Sequence, residues 1–404
     1  MWYAGLDWSD THHDVVVIDA DGRHLASKRV AHTKAGLETL VQFLEGISGS
    51  ALKEQMACII ETTHGLLIAA LLEAGLPVYP VNPKTLDRRR VPSGAKTDLI
   101  DAYLLAKTGR ADLADLRRLQ PDSALVQELK TLTRDQDALI QMQTRLVNQL
   151  TACLKAYYPV ALSLFGKLHQ RSTVRFLQAY PTPQEAIDAS QAHLTSVLKQ
   201  AGHSKAEQVA AKLFERLHQP QLVADPITTR TKSRLMLALV AQLLPLLEQI
   251  AAYDEEITAL FLTHADSPVF ASLPGAGKRL APRLLAEWGD DRVRYTSARK
   301  VQALAGTAPV PYESGNYRTA HRRSACLKPL RNALYQFAWQ STLCEPWAKD
   351  YYHRKRAQGK SHSVAVRALS NTWVRIVFRM WVDQQGYARG IFEAAQGAHA
   401  PLAA

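Results

Sequence analysis

Short apolar runs of period two and stretches of helical spacing follow one another in a fixed order through the first hundred residues, and that order restricts the fold more than any other feature of the chain. Residues 3–7 and 14–18 read as strands separated by a turn-like stretch at 9–13. Asp21-Gly22 is a strong hairpin turn into a third strand over residues 24–30. Thr33 is placed to cap a helix over residues 34–44; a strand at Met56–Ile60, a helix over 66–74 and a short strand over 77–81 follow. Three consecutive antiparallel strands and then a crossover put the fourth strand beside the first.

This βββαβαβα order is that of the RNase H-like fold, and it brings particular acids together. Asp7 closes the first apolar run, Trp2-Tyr3-Ala4-Gly5-Leu6-Asp7, and Glu61 closes Ala57-Cys58-Ile59-Ile60-Glu61. A carboxylate at the end of a buried strand is costly unless something compensates it. Asp98 and Asp101, three apart in Lys96-Thr97-Asp98-Leu99-Ile100-Asp101-Ala102, share one side of a helix. Two strand ends and one helical pair suggest a shared divalent cation, Mg²⁺ or Mn²⁺. A pair of such ions could activate a nucleophile and stabilise a leaving oxygen in phosphodiester chemistry. Singly, each acid has a plainer role: Asp7 as a structural residue or cap, or part of a kinase-type phosphate loop, Glu61 as a helix-dipole acid, Asp98 and Asp101 as first-turn caps and charges. An ATPase would need further glycine-rich phosphate and adenosine loops, and the sequence offers none.

Beyond this segment the pattern is helical. Leu125, Leu129, Leu132, Leu139, Leu146 and Leu150 recur at helical or heptad spacing, which predicts a long amphipathic helix over residues 124–157 and a coiled-coil arm. Residues 160–230 carry shorter helical patterns broken by prolines, with no chemical motif. A second long pattern, 232–264, could pair with the first, with Pro245 expected to kink or split it. The expected division is an α/β domain over 1–115, a helical and coiled-coil region over 116–265 with an insertion at about 160–230, and a mainly helical domain over 266–404.

The formal charge of +12 favours a polyanionic partner, because lysines and arginines that neutralise phosphates release counterions. Cys58, Cys153, Cys326 and Cys344 have neither CxxC nor Cys/His spacing, so no zinc site or disulfide framework is indicated. There is no signal-peptide pattern and no run of eighteen uninterrupted apolar residues, so a soluble protein of the cytoplasm, associated with the nucleoid and not with a membrane, is expected.

Two further motifs point to phosphate. Leu273-Pro274-Gly275-Ala276-Gly277 resembles a helix-hairpin-helix turn, in which Gly275 and Gly277 expose backbone N–H groups. Downstream, the segment Val310 to Asn316 reads as irregular or hairpin-like, within the constellation Pro311-Tyr312-Glu313-Ser314-Gly315-Asn316-Tyr317-Arg318. Its serine before glycine is an ordinary turn feature, yet Arg318, Arg322 and Arg323 could stabilise a phosphoryl transition state beside it. Ser314 is therefore a candidate nucleophile, and Tyr317 a rival on the same argument. Arg88-Arg89-Arg90 and Lys96, with Lys328 and Arg331, are candidate backbone contacts.

The ordered set Gly5-Leu6-Asp7, Ile60-Glu61-Thr62-Thr63-His64-Gly65, Val81-Asn82-Pro83, Asp98 to Ala102, Leu273 to Gly277, Ala305-Gly306 and Tyr312-Glu313-Ser314-Gly315 resembles the DEDD transposases of bacterial insertion sequences related to the Piv invertase, the bridge-RNA-guided recombinases. The resemblance implies a RuvC-like domain whose Asp7, Glu61, Asp98 and Asp101 bind Mg²⁺, a coiled-coil arm, and a transposase domain supplying Ser314. It implies a phosphoserine link to DNA, a site shared between subunits, donor and target DNA chosen by a bridge RNA, and dimers that assemble into a tetramer. Ser324-Ala325-Cys326-Leu327-Lys328-Pro329 departs from the Ser-Lys-x-Gly stretch of many members. From the residues alone, a junction-resolving nuclease using metal-activated water and a non-catalytic nucleic-acid scaffold remain the alternatives.

Overall fold

Alternation along β1 (Trp2–Trp8) sends Ala4 and Leu6 to one face of a sheet and Tyr3, Gly5 and Asp7 to the other. β2 (His12–Ile18) and β3 (His24–Ala31) extend that sheet as antiparallel hairpins. The β2–β3 turn is closed by the Asp19 carboxylate, which accepts hydrogen bonds from the N–H groups of Asp21 and Arg23, while Gly22 takes φ +88°. α1 (Lys34–Ser48) starts where the Thr33 hydroxyl accepts from the Gly36 N–H. It crosses over to β4 (Met56–Ile60), parallel to β1, and α2 (Leu66–Glu73) leads to β5 (Val78–Pro80), parallel to β4. The order β3-β2-β1-β4-β5 is the one expected of an RNase H-like domain. The computed structural model describes residues 1–82 and 97–390.

The two faces of the sheet are covered differently. Ala4, Leu6, Val15, Val17, Cys58 and Ile60 pack with Leu40 and Leu44 of α1 and Leu67 and Leu71 of α2. The opposite face, with Tyr3, Val16, Ile18, Ala57 and Ile59, packs on α3 (Asp98–Asp112) through Ala102, Leu105 and Ala106. A Cβ on Gly5 would fall inside the van der Waals envelope of the Ala102 carbonyl oxygen and the Ala106 nitrogen, so the absence of a side chain there lets α3 lie directly on β1. Gly5→Ala is expected to cost about 3 kcal/mol, because backbone must move to admit one methyl group; a denaturant midpoint unchanged from the parent would refute that account.

The described chain forms two compact units, divided between Pro121 and Asp122. The second unit is built along two long helices, α4 (Ala124–Tyr157) and α10 (Pro226–Leu262), which pack against each other. Each runs about 50 Å at ~1.5 Å per residue. Ser123 caps the first and Asp225 the second, whose first turn also carries Pro226. Between them lie α5 (Ala161–Leu164), α6 (Arg171–Ala179), α7 (Pro183–Ile187), α8 (Gln191–Gln200) and α9 (Ala206–Leu217). These short helices share an apolar core with Leu150, Leu154 and Tyr157 of α4 and Met236, Val240 and Leu243 of α10. The proline-broken stretch is thus a cap on one end of the helix pair.

Of the two outcomes expected at Pro245, a kink or a split, the split does not occur, and α10 runs unbroken from Pro226 to Leu262. Pro245 lies on the exposed side while Leu243 and Leu246 on either side are buried, so water can serve the carbonyl left without a donor and packing holds the helix through it. Among the described residues α10 is also the one helix long and apolar enough to cross a membrane. Most of its buried residues belong instead to the two cores of this unit, with Ile257 and Phe261 in the second.

That second core joins Leu129 of α4 to the C-terminal helices α11 (Ser267–Ala271), α12 (Gly277–Trp288) and α13 (Ala298–Leu304), then, after the hairpin β6 (Val310–Ser314) and β7 (Tyr317–His321), α14 (Lys328–Cys344), α15 (Pro346–Ala357) and α16 (His362–Asp383). Trp288, Phe337, Trp373 and Trp381 are fully buried there. Residues four apart on α12 tie it to the long pair: Arg279 to Asp254, Arg283 to Asp137, and Glu287 to Arg134, with N–O distances of 2.6, 2.7 and 2.7 Å.

Candidate active site

The acidic centre follows from the strand register. Asp7 lies two residues beyond Gly5 on the face covered by α3, and Glu61 follows β4, the strand paired in parallel with β1. Thr97 caps α3 by accepting from the Ile100 N–H, so Asp98 and Asp101 fall in its first turn. Burial, then the charges of Asp101, Asp98, Glu61 and Asp14, raise the Asp7 carboxyl to about 6. The other three acids singled out in the sequence therefore all act on Asp7 at one end of the sheet. Asp101 is 8% exposed and Asp7 half-buried, whereas Asp98 reaches solvent.

Three residues of this end were not foreseen. Asp14 stands directly opposite Asp7 in the β1–β2 ladder, and Arg29 directly opposite Asp14 in the β2–β3 ladder. Arg29 holds Asp14, which is 4% exposed, through Nε at 3.0 Å and Nη2 at 2.8 Å, and its Nη2 lies 3.4 Å from Asp98. His12 Nε2 is 3.4 Å from Asp98 and 3.7 Å from Asp14, so one imidazole and two carboxylates lie within 4.8 Å of one another. The cross-strand pairs Asp7 with Asp14 and Asp14 with Arg29 were the available signal. Hard oxygen donors crowded enough to raise one carboxyl fit a divalent cation.

The serine motif forms a two-stranded hairpin. Ser314 pairs with Tyr317 across Gly315-Asn316, and Gly315 at φ +56° occupies the position where a two-residue hairpin turn favours glycine. Directly opposed residues share a face, so Ser314, Tyr317, Tyr312 and His321 line one side. The Tyr312 ring meets those of Tyr317 and His321 edge-on at 6.4 and 5.4 Å. Arg318 opposes Glu313 on the other side, so it does not flank Ser314 as its closeness in sequence implied. Arg322 follows β7, Arg323 keeps a buried Nε without a partner, Lys328 opens α14, and Arg331 Nη1 is 3.4 Å from Cys326 Sγ.

Gly275 and Gly277 both take positive φ, +80° and +58°, in the turn that starts α12. Gly275 packs on the Gln340 carbonyl of α14 and borders a cleft of about 1010 Å³ that also exposes Lys278 and Trp339. Arg88, Arg89, Arg90 and Lys96 lie outside the described residues.

With this geometry in hand, likeness to known proteins is specific. A family model for IS110-type DEDD proteins, described as a transposase, matches residues 4–159, and that of the Transposase IS116/IS110/IS902 family matches residues 267–353. The class is thereby DNA transposase. A protein of the IS117 mini-circle of Streptomyces coelicolor is 32% identical over 380 residues, 92% of either chain. The 44.8 kDa protein of insertion element IS116 from Streptomyces clavuligerus is 30% identical over 395 residues, 95% of either chain. The transposase of insertion sequence element IS1111A from Coxiella burnetii is 25% identical over 242 residues, 60% of this chain and 53% of that one. The chain belongs to the IS116/IS110/IS902 family of DEDD transposases, a family that implies use of a divalent metal.

Proposed function

We propose that the protein cuts and rejoins DNA at the ends of its own insertion sequence, with Ser314 as nucleophile and Asp7, Glu61, Asp98 and Asp101 as ligands of Mg²⁺. The observation that carries this is the convergence of the four acids on one end of the sheet, felt in the raised Asp7 carboxyl. Bound there, Mg²⁺ would neutralise charge on the phosphoryl oxygens and the leaving oxygen. The Ser314 Oγ–phosphorus bond forms as a phosphorus–deoxyribose oxygen bond breaks; the serine proton is lost and the departing oxygen becomes a hydroxyl. A hydroxyl of the second DNA then attacks the same phosphorus, releasing Ser314 with its proton restored.

In the assembled protein, the serine of one subunit works with the acids of another, within a dimer that pairs into a tetramer. A bridge RNA chooses donor and target, while Gly275, Gly277, Arg318, Arg322, Arg323, Lys328 and Arg331, and the basic residues Arg88, Arg89, Arg90 and Lys96, hold nucleic-acid backbone. Protein purified with its RNA, incubated with donor and target DNA and Mg²⁺, should yield a protein–DNA adduct that survives denaturation. Hydrolysed ends with no adduct would favour a junction-resolving nuclease and sink the covalent step.

A further inference from the structure

At the foot of the serine hairpin lies a pocket of about 260 Å³, lined by Arg322, Arg331, Tyr335, Ser363 and Arg367 among others. It is smaller than the ~300–1,000 Å³ of a small-molecule site. Three guanidinium groups reach it from three elements: Arg322 from the residue after β7, Arg331 from α14 and Arg367 from α16. Tyr335 stands one turn beyond Arg331, and Ser363 one turn before Arg367, so each helix offers an arginine and a hydroxyl on the same side.

Several other arginines of this unit are matched with carboxylates, among them Arg134 with Glu287, Arg283 with Asp137 and Arg294 with Asp122. Arg322, Arg331 and Arg367 take part in no ion pair among the described residues. Burial first, then the charges of Arg322 and Arg331, push the Arg367 pKa below its ordinary value, and only Tyr335 opposes them. Like charges gathered without a counter-charge weaken the free protein and are relieved when an anion enters. Planar forks of N–H donors suit phosphate oxygens in particular.

We propose that Arg322, Arg331 and Arg367 form a seat for one phosphodiester group of the nucleic acid that the serine hairpin works on. Arg367, far along the chain on a different helix, is the member that no local motif announced. The hairpin foot, Val310 opposite His321, is four residues from the Ser314–Tyr317 pair. That is about 13 Å at ~3.3 Å per residue, or about four steps along a duplex rising ~3.4 Å each. The anchored phosphate and the serine thus address the same short stretch of backbone. This assignment rests on the nucleic-acid role proposed above.

Arg367→Gln and Arg367→Lys test it, with a fluorescent donor-end DNA duplex in one arm and the copurifying RNA in the other, each titrated across salt. The glutamine variant should bind about tenfold more weakly, with the log–log salt slope reduced by about one. Lysine should keep the slope. The melting midpoint of the free glutamine variant should equal or exceed the parent's, since repulsion is relieved. A change confined to one arm assigns the phosphate to DNA or to RNA accordingly. Unchanged affinity and slope in both arms overturns the seat, as does a lowered midpoint of the free variant, which would make Arg367 a structural residue. Failure here is distinct from failure of the proposed reaction, which is read from the adduct formed by the parent protein.

Discussion

Asp7→Asn protein freed of metal should melt at a higher temperature than the parent at pH 7, while its recombination activity falls by about a thousandfold or more. The Asp7 carboxyl is raised from 3.8 to about 6, by burial first and then by Asp101, Asp98, Glu61 and Asp14. An unfolded chain gives up this proton near pH 4, whereas the folded protein keeps it until about 6. Between those values the folded state binds more protons, so stability falls as pH rises, and above 6 the whole penalty is present. A shift of two units nominally corresponds to about 3 kcal/mol; because Asp7 is only half-buried, screening by solvent reduces it to about 1 kcal/mol. Asparagine keeps the shape and removes the charge, so the midpoint should rise by about 2–4 °C at pH 7, with no such gain below pH 4. Millimolar Mg²⁺ should stabilise the parent and not the variant. A metal-free variant that melts below the parent at pH 7, or responds equally to Mg²⁺, would remove the basis for a cation among these acids. The instability of the centre is thus the property that a bound cation would relieve.

The four acids were legible because strand order follows from local patterning, and strand order alone brings the ends of β1 and β4 together. Met56–Ile60 and Ala124–Tyr157 fall where alternation and leucine spacing put them, since both periods are written in neighbouring residues. Asp14, Arg29 and His12 escaped because their meaning lies in register: only the pairings Asp7 with Asp14 and Asp14 with Arg29 show a carboxylate neutralised beside one that is not. The face that Arg318 takes likewise depends on register, since the pairing of Ser314 with Tyr317 puts the next residue, Arg318, on the opposite side of the hairpin. Pro245 shows tertiary packing overruling a local rule. Arg367 needed the packing of α14 against α16, which no single segment encodes.

Ser314→Ala should abolish the protein–DNA adduct and with it recombination, while Tyr317→Phe should retain both. Ser314 is exposed at the end of β6, paired with Tyr317 and bordering no core, so removing its hydroxyl should leave stability within about 0.5 kcal/mol. Loss of activity with an unchanged melting midpoint then reports chemistry. The bond itself gives an independent check: a serine phosphodiester carries a hydrogen on the carbon next to the carbonyl and is eliminated by mild alkali, whereas an aryl phosphodiester on tyrosine is not. An adduct that alkali releases, absent in Ser314→Ala and present in Tyr317→Phe, fixes the nucleophile. An alkali-resistant adduct that persists in Ser314→Ala and disappears in Tyr317→Phe transfers the role to Tyr317, which shares the same face of the same hairpin two residues beyond the start of the turn. Because Asp7→Asn removes a ligand and leaves the hairpin untouched, it should also abolish the adduct, yet mixing it with Ser314→Ala protein should restore some. Each variant would supply the half that the other lacks, and restoration above either alone requires that the serine and the acids serving it come from different subunits.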